Sequence, residues 1–247
     1  MRPVEKWPVG FCYGTGTVQA TYNPYQGAKP ILNKNLGPYC SYCEVAEHCI
    51  RSEAVEHTLP KSANVGLTFT WTNFLLGCSI CNGADNKGST IPSTACHFPH
   101  KNNTFLSFKY TPVGGVIVNP SLTNPLSIKN AQELLNLTGI GKMPQPNQAS
   151  DNRWEHRKRS WTIAKKYLAR YLGKTTPAGK AEVIDTIVDL VQQRGNWSVW
   201  FTVFKGQDDV RAALVDNGNF PGTAANCFNP QNHYEPIDRN PGQPDPV

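Results

Sequence analysis

Two cysteine pairs of identical spacing constrain the fold of this chain more than any other feature. The pairs are Cys40-x-x-Cys43 and Cys78-x-x-Cys81. Each Cys-x-x-Cys turn can present two sulfurs to one centre, and four thiolates are the tetrahedral set that structural zinc prefers. The spacing therefore predicts a zinc ion that ties the two segments together. Four unrelated buried thiols, or disulfides, are the alternative.

The rest of the chain favours thiols over disulfides. None of its apolar runs approaches the roughly 18 residues that a membrane span needs, and residues 1–8 lack the apolar stretch of a signal peptide. These features predict a cytoplasmic protein without a membrane partner. Because that compartment is reducing, the eight cysteines are expected to be free thiols and metal ligands.

A moderate excess of positive charge permits a polyanionic partner without establishing one. The formal net charge is +6 and the isoelectric point is about 8.9. Basic residues concentrate in the segment that follows Asp151, where Glu155 is the one acid among Arg153, Arg157, Lys158, Arg159, Lys165, Lys166 and Arg170. Such a run fits either a solvated helix face or a set of sequence-independent phosphate contacts.

Composition divides the chain into three segments of an α+β protein. Residues 1–37 are rich in Gly, Pro, Tyr and Asn and predict an irregular arm with a short helix before Gly37. Residues 38–125 form the cysteine-bounded unit. Residues 126–247 predict a mainly helical region with a disordered tail from Asn240 onward.

Within these segments, hydrophobic patterns and turn residues predict individual elements. The predicted strands are Glu44 to His48, Glu53 to His57, Leu106 to Tyr110 and Gly115 to Asn119. A short helical turn is predicted over Thr72 to Leu76, and a further helix near the second cysteine pair. Later helices are predicted over Ser127 to Leu137, from Asp151 to Gly173, from Pro177 to Gly195 and over Asp208 to Val215, with Pro144 and Pro146 in a linker. The apolar run Trp197 to Phe204 must be buried, as helix or as strand.

A compound motif lies inside the cysteine-bounded unit. In chain order it reads Tyr39-Cys-Ser-Tyr-Cys-Glu44, Val55-Glu-His-Thr-Leu-Pro-Lys61, Trp71-Thr-Asn73, Cys78-Ser-Ile-Cys-Asn82 and Asn86-Lys-Gly88. This order resembles the HNH endonucleases, specifically the bacterial branch in which a four-cysteine zinc site surrounds a ββα-metal finger. The resemblance implies an α+β fold with that finger followed by the helical region.

The resemblance also implies a role for each matched position. His57 would be the general base that takes a proton from water. Glu56 and Asn82 would ligate one catalytic Mg²⁺ or Mn²⁺, ions that prefer oxygen ligands. Asn73 would tie the loop that carries the base through backbone hydrogen bonds. The expected nucleic-acid contacts are Lys61, Lys87, Arg153, Arg157, Lys158 and Arg159.

Two positions depart from the family pattern. Glu56 stands where Asp is usual, and Asn82 stands where many members have His, so a weakly held ion is expected.

The positions of Glu56 and His57 also raise a geometric difficulty, because neighbouring residues on a strand point to opposite faces. The strand must therefore end or twist at Glu56 and His57 if both are to flank one phosphate.

The function implied is metal-dependent endonucleolytic hydrolysis of DNA, one strand at a time, with RNA left open as a substrate. By analogy with similar bacterial proteins, a role in anti-phage defence is expected, with an ATPase partner subunit or a homodimer. Two alternatives remain: a non-catalytic, zinc-stabilised nucleic-acid-binding module, and a protein-interaction subunit.

Cys96-His97-x-x-His100 is a weaker candidate for a second metal site, because no fourth ligand of suitable spacing lies nearby.

Overall fold

The computed structural model describes residues 1–46, 53–144 and 151–247. Those residues fold into a mixed α/β structure whose strands are short and paired antiparallel. The pairs are β1 (Cys12–Tyr13) with β2 (Gly16–Thr17), β3 (Glu53–His57) with β4 (Phe74–Cys78), β5 (Phe108–Tyr110) with β6 (Val116–Val118), and β7 (Phe228–Asn229) with β8 (Glu235–Pro236). The helices are α1 (Lys29–Leu36), α2 (Thr104–Ser107), α3 (Pro125–Thr138), α4 (Arg153–Leu172), α5 (Pro177–Arg194), α6 (Trp197–Val203) and α7 (Asp208–Val215).

The β3–β4 hairpin forms the centre of the cysteine-bounded unit. In its register Glu53 lies opposite Cys78 and His57 lies opposite Phe74. The helical turn predicted over 72–76 is wrong: one 3₁₀ turn covers Trp71–Asn73, and a strand follows it. Every residue of β4 is buried. A short apolar run that is covered on both faces has no alternation by which sequence could tell strand from helix.

Two predictions around the hairpin need correction. The segment predicted as a strand over 44–48 begins with Glu44 at φ +63°, and Val45 and Ala46 form isolated bridges. The remainder of that segment, up to His48, lies outside the described residues. The helix predicted near the second cysteine pair is absent from residues 79–90, which form successive turns. Gly88 has φ +44° there, a left-handed conformation that a continuing helix excludes.

Most predictions for the later segments are confirmed. The short helix before Gly37 is α1, and α3, α4, α5 and α7 lie where helices were predicted. The predicted strand pair is β5–β6. The open question about residues 197–204 resolves as a helix, α6, whose residues are nearly all buried because it packs against α4 and α7. The linker residue Pro146 lies outside the described residues.

Two hydrophobic cores organise the described residues. The first combines side chains from the N-terminal segment, the hairpin and α3, so it draws on all three predicted segments. The second lies among α4 to α7 and the segment around Phe220 and Phe228. The beginning of the chain joins them, because Val4 forms a bridge to Thr223 and the amide of Ala224 donates to the Pro3 carbonyl at 3.0 Å.

The predicted disorder of residues 240–247 is wrong. The Asp245 carboxylate accepts hydrogen bonds from Ser127 and Asn130 on α3 and lies 2.9 Å from Nε2 of His97. The side chain of Val247 is buried. Polar contacts to the Asp245 carboxylate hold this segment in place, although it is rich in Pro and Gly. Composition cannot reveal such contacts.

Across the described parts of the chain, none of the helices combines the length and the apolar character needed to cross a membrane.

Candidate metal centre and hairpin site

The four cysteines predicted to bind metal converge in the interior. The Sγ atoms of Cys40, Cys43, Cys78 and Cys81 all lie within 4.8 Å of one another, and the four side chains are buried. Among the described residues this is the one cluster of histidine, cysteine or acidic side chains close enough to hold an ion. None of the four forms a disulfide. The cluster can therefore bind a zinc ion, as the spacing predicted.

Contacts between strand β4 and the turn that carries Cys40 and Cys43 bring the two cysteine pairs together. The amide of Ser41 donates to the Leu76 carbonyl at 2.8 Å, which pins the first pair to the strand that ends at Cys78. The amide of Cys78 donates to Cys40 Sγ at 3.4 Å, and the amide of Cys81 donates to Cys78 Sγ at 3.4 Å. Burial raises the pKa of Cys40, whereas hydrogen bonds from Cys40, Cys43 and Cys81 lower the pKa of Cys78. Such donors stabilise the thiolate form that metal binding requires.

Arg153 and Arg157 are buried, and their guanidinium groups donate hydrogen bonds to atoms in and around the cysteine cluster. Arg153 is 1 % exposed and donates to Cys81 Sγ at 3.0 Å and to the carbonyls of Thr138 and Gly139 at 2.9 Å each. Arg157, 2 % exposed, donates to the carbonyls of Gly114 and Ile140. The prediction that these two arginines contact phosphate is wrong, because both guanidinium groups are buried. Arg153 instead docks the first turn of α4 onto the cysteine cluster, and Arg157 joins the next turn to the carbonyls of Gly114 and Ile140.

His57 is the last residue of β3, and its ring is fixed on several sides. Tyr25 and Phe74 contact the ring edge-on at centroid distances of 4.7 and 5.2 Å. Nε2 lies 2.9 Å from the Thr68 carbonyl oxygen. A carbonyl can only accept, so Nε2 carries the hydrogen and Nδ1 keeps the lone pair of a neutral imidazole.

The surroundings of His57 also favour the neutral form. Burial lowers the pKa of the His57 imidazole more than the hydrogen bond to Thr68 raises it, and the charges of Lys61 and Lys87 lower it further. The unperturbed value is about 6.5, so the ring is neutral at pH 7. A neutral imidazole with a free Nδ1 lone pair can act as a general base.

Asn73 makes the loop contacts that the resemblance implied. Its Oδ1 accepts from the hydroxyl of Thr58 and from the amide of Leu59, both at 2.8 Å. Its Nδ2 donates to the carbonyls of Leu59 and Leu67 at 2.9 and 3.3 Å. One buried amide thus closes the loop between β3 and β4 directly after the histidine.

Glu56 does not fit the role of metal ligand. Its Oε1 lies 2.7 Å from Nζ of Lys87, and both side chains are 1 % exposed. The same Oε1 accepts from the hydroxyl of Tyr42 at 3.1 Å. Burial raises the pKa of Glu56, and the Lys87 ammonium opposes that shift. Two unit charges 4 Å apart interact by about 4 kcal/mol at an effective dielectric constant near 20, and a divalent ion beside Lys87 would be repelled about twice as strongly.

The prediction that Lys87 contacts a nucleic acid therefore also needs correction. Besides its ion pair with Glu56, Nζ donates to the main-chain carbonyl of His57 at 2.7 Å. A lysine with its ammonium buried in the protein cannot reach a phosphate. Lys61 differs, because it is exposed, and its Nζ lies 4.8 Å from the ring centroid of Tyr25, which contacts His57.

Asn82 and Glu56 both lie against the same side of Gly77. A Cβ added to Gly77 would meet Glu56 Cβ at 3.0 Å and Asn82 Cβ at 3.4 Å. The two side chains therefore start close together, as a shared ligand set would require. Asn82 is half-buried, whereas the Glu56 carboxylate is enclosed with Lys87 and Tyr42.

The geometric difficulty predicted within β3 is visible in these contacts. The strand runs through both Glu56 and His57 and ends there, and the two side chains contact different sets of neighbours. The structure thus brings His57 together with the loop that Asn73 closes, and Glu56 together with Asn82. Tyr42, Thr68 and Tyr25 are the contacts that sequence reasoning missed; only Tyr42, inside the first cysteine pair, lay within the motif.

A second surface of interest is the exposed side of α4. Its exposed basic residues are Lys158, Arg159, Lys165, Lys166 and Arg170. Arg159 pairs with Glu155 at 2.5 Å, Lys158 lies over the ring of Trp154 at 5.9 Å, and Arg170 lies over the ring of Tyr167 at 4.7 Å. The helix therefore turns two arginines inward and presents the others to solvent.

No protein-family model matches the chain, and comparison with curated proteins gives no match either.

Proposed function

We propose that this protein is a nuclease of the HNH type, which hydrolyses phosphodiester bonds of DNA with His57 as the general base. The observation that carries the proposal is the fixed, neutral imidazole at the end of β3, with Nε2 hydrogen-bonded to the Thr68 carbonyl. Asn73 closes the following loop, and the cysteine cluster holds the other end of the hairpin. The motif and the geometry agree at His57, Asn73 and the four cysteines.

In the proposed reaction, Nδ1 of His57 takes a proton from the attacking water. The new bond joins that water oxygen to phosphorus, and the bond from phosphorus to the 3′ oxygen breaks, so that the 3′ oxygen leaves with the electron pair and takes a proton from solvent water. The Thr68 carbonyl accepts from Nε2–H and so stabilises the imidazolium as it forms. The chain's own contribution is thus to orient the base and to keep it neutral before the reaction.

We further propose that the ion of the cysteine cluster is zinc and that its role is structural. Four cysteine ligands complete a tetrahedral shell and leave no open position for water or substrate. Zinc would fix β4 to the turn that carries Cys40 and Cys43. The expected Mg²⁺ or Mn²⁺ at Glu56 is a different matter, since the contacts of Glu56 do not fit it and no step is assigned to that ion.

The exposed side of α4 supports a nucleic-acid substrate. Arg153 docks the helix on the cysteine cluster, so the basic residues beyond it extend from the candidate site along the helix. Lys61 adds a positive charge beside His57. Phosphate contacts of this kind would be independent of sequence and would weaken as salt increases.

The test is a nicking assay on supercoiled plasmid, with zinc content measured in parallel. Wild type and His57→Ala are incubated with Mg²⁺, with Mn²⁺ and without a divalent ion. We expect wild type to nick and His57→Ala to lose at least about 100-fold of that rate. His233→Ala is the matched control, because this exposed histidine pairs with Asp208 away from the hairpin. Equal nicking by wild type and His57→Ala would disprove the assignment.

A non-catalytic, zinc-stabilised nucleic-acid-binding module is the second candidate. The buried ion pair between Glu56 and Lys87 favours it, because it removes the expected ligand of a catalytic ion. This candidate predicts salt-sensitive DNA binding and no cleavage with any divalent ion. A single-stranded RNA of matched length in the same assay separates DNA from RNA as the preferred ligand.

A further inference from the structure

The turn after the second cysteine pair carries Lys87, whose ammonium group contacts the β3–β4 hairpin. The amide of Lys87 donates to the Cys81 carbonyl at 3.2 Å, and the amide of Thr90 donates to the Lys87 carbonyl at 2.8 Å. Gly88, at φ +44°, reverses the chain directly after Lys87. The backbone is thus held on both sides of a lysine whose side chain points into the protein.

The Lys87 ammonium occupies the position where a cation would bind. It lies 2.7 Å from Glu56 Oε1 and 2.7 Å from the carbonyl oxygen of His57. Carboxylate and main-chain carbonyl oxygens are the ligands that Mg²⁺ and Mn²⁺ prefer. Here one ammonium satisfies both oxygens, and the hydroxyl of Tyr42 occupies the remaining side of Oε1.

We propose that Lys87 is the resident cation of the Glu56 carboxylate, and that it takes the place of a divalent ion there. Lys87 is then a positioning residue: it joins the carboxylate of Glu56 to the main chain of His57 and fixes the end of β3. The inference rests on these contacts and not on cleavage, so it holds or fails independently of the proposed nuclease activity.

Binding of Mn²⁺ alone tests the proposal, with free Mn²⁺ followed by electron paramagnetic resonance in zinc-loaded protein. Wild type and Glu56→Gln should give superimposable titrations, because the carboxylate takes no ion while Lys87 is present. Lys87→Met should gain a site at least tenfold tighter than any in wild type, and the double variant Lys87→Met/Glu56→Gln should lose it. Lys109→Met, at the one exposed residue of β5, is the control for removing one positive charge.

Two results would overturn the proposal. One is a wild-type Mn²⁺ site that Glu56→Gln weakens tenfold or more. The other is a folded Lys87→Met that gains no Mn²⁺ affinity over Lys109→Met. If Lys87→Met does not fold, the amide resonances of wild type decide: broadening of His57 and Gly77 by stoichiometric Mn²⁺ contradicts the proposal, and sharp resonances support it.

Discussion

Around the β3–β4 hairpin, buried polar groups lie between the apolar side chains, whereas the core among α4 to α7 is built mostly from aromatic and aliphatic residues. In the hairpin region Lys87, Glu56 and Asn73 all lie inside the protein with defined partners. In the helical region Trp197 stacks on Phe201 with centroids 4.6 Å apart. The stability of the first region depends on specific polar pairs, and that of the second on the apolar surface it buries.

This difference has an energetic consequence. A buried polar group without its partner loses solvation that nothing replaces, so removing one member of a pair is costly in the hairpin region. A packed apolar core instead loses contacts and gains a cavity when a side chain is shortened. The two regions should therefore respond to different substitutions, and zinc should matter for one of them only.

The largest effect is expected from removing a cysteine of the cluster. Cys78→Ser should abolish zinc binding and lower the thermal midpoint by at least about 10 °C, because the binding free energy of a structural zinc ion is folding free energy. Cys96→Ser is the matched control: Cys96 is buried but lies outside the cluster. Zinc analysis and thermal unfolding measure both effects. Unchanged zinc content in Cys78→Ser would rule out the four-cysteine site.

The next largest effect should come from the aromatic core. Phe201 is fully buried between Trp197, Phe105 and Phe228, so Phe201→Ala should cost about 3–5 kcal/mol of unfolding free energy. Zinc content should stay the same, since the cluster belongs to the other core. Phe69→Ala, at a side chain that is 39 % exposed, should cost much less. Zinc loss in Phe201→Ala would show that the two regions are not independent.

Sequence reasoning succeeded where a local pattern carries the information. The cysteine spacing predicted one cluster, and the four sulfurs lie within 4.8 Å of one another. Hydrophobic periodicity with terminal glycines predicted α3, α4 and α5. It failed where the outcome depends on a distant partner. Nothing local indicates that Asp245 meets His97, or that Arg153 meets Cys81.

The basic run after Asp151 shows the same limit within one helix. Sequence shows that Arg153 and Arg157 share a helix with Lys158 and Arg159, but the direction each faces depends on what α4 packs against. The first two donate to buried carbonyls and the others face solvent. Glu56 and Lys87 illustrate this for the candidate site, because their ion pair spans a turn whose shape the motif does not specify.

An intermediate effect is expected from Asn73→Ala. The substitution leaves the amide of Leu59 and the hydroxyl of Thr58 without their acceptor, at a cost of about 2 kcal/mol. Amide hydrogen exchange should accelerate at Leu59 while the helical core stays protected. Asn64→Ala, in the same loop, removes one longer hydrogen bond to the Pro60 carbonyl and serves as the control. Equal exchange in the two variants would mean that Asn73 does not hold the loop.

A smaller effect should follow from pH. The pKa of His57 is lowered in the folded protein, mainly by burial, below its unfolded value of about 6.5. Between those two values the unfolded chain binds more protons, so the contribution of His57 to stability is present above pH 6.5 and is lost as pH falls through the folded pKa. Urea unfolding from pH 5 to pH 8 should show His57→Gln with a flatter acid limb than wild type. Parallel curves would contradict the lowered pKa.

The smallest effect on stability, and a clear one on binding, is expected at the exposed side of α4. Lys165→Gln/Lys166→Gln should change the unfolding free energy by no more than about 0.5 kcal/mol, because both side chains are exposed. If these lysines contact phosphates, the slope of log affinity against log salt should fall by about one per lysine. Lys205→Gln, at an exposed lysine outside α4, should leave the slope unchanged. A slope that falls by the same amount per lysine in both variants would indicate a diffuse charge effect. The exposed side of α4 would then be a solvated helix face, and Arg153 and Arg157 would hold the helix in place.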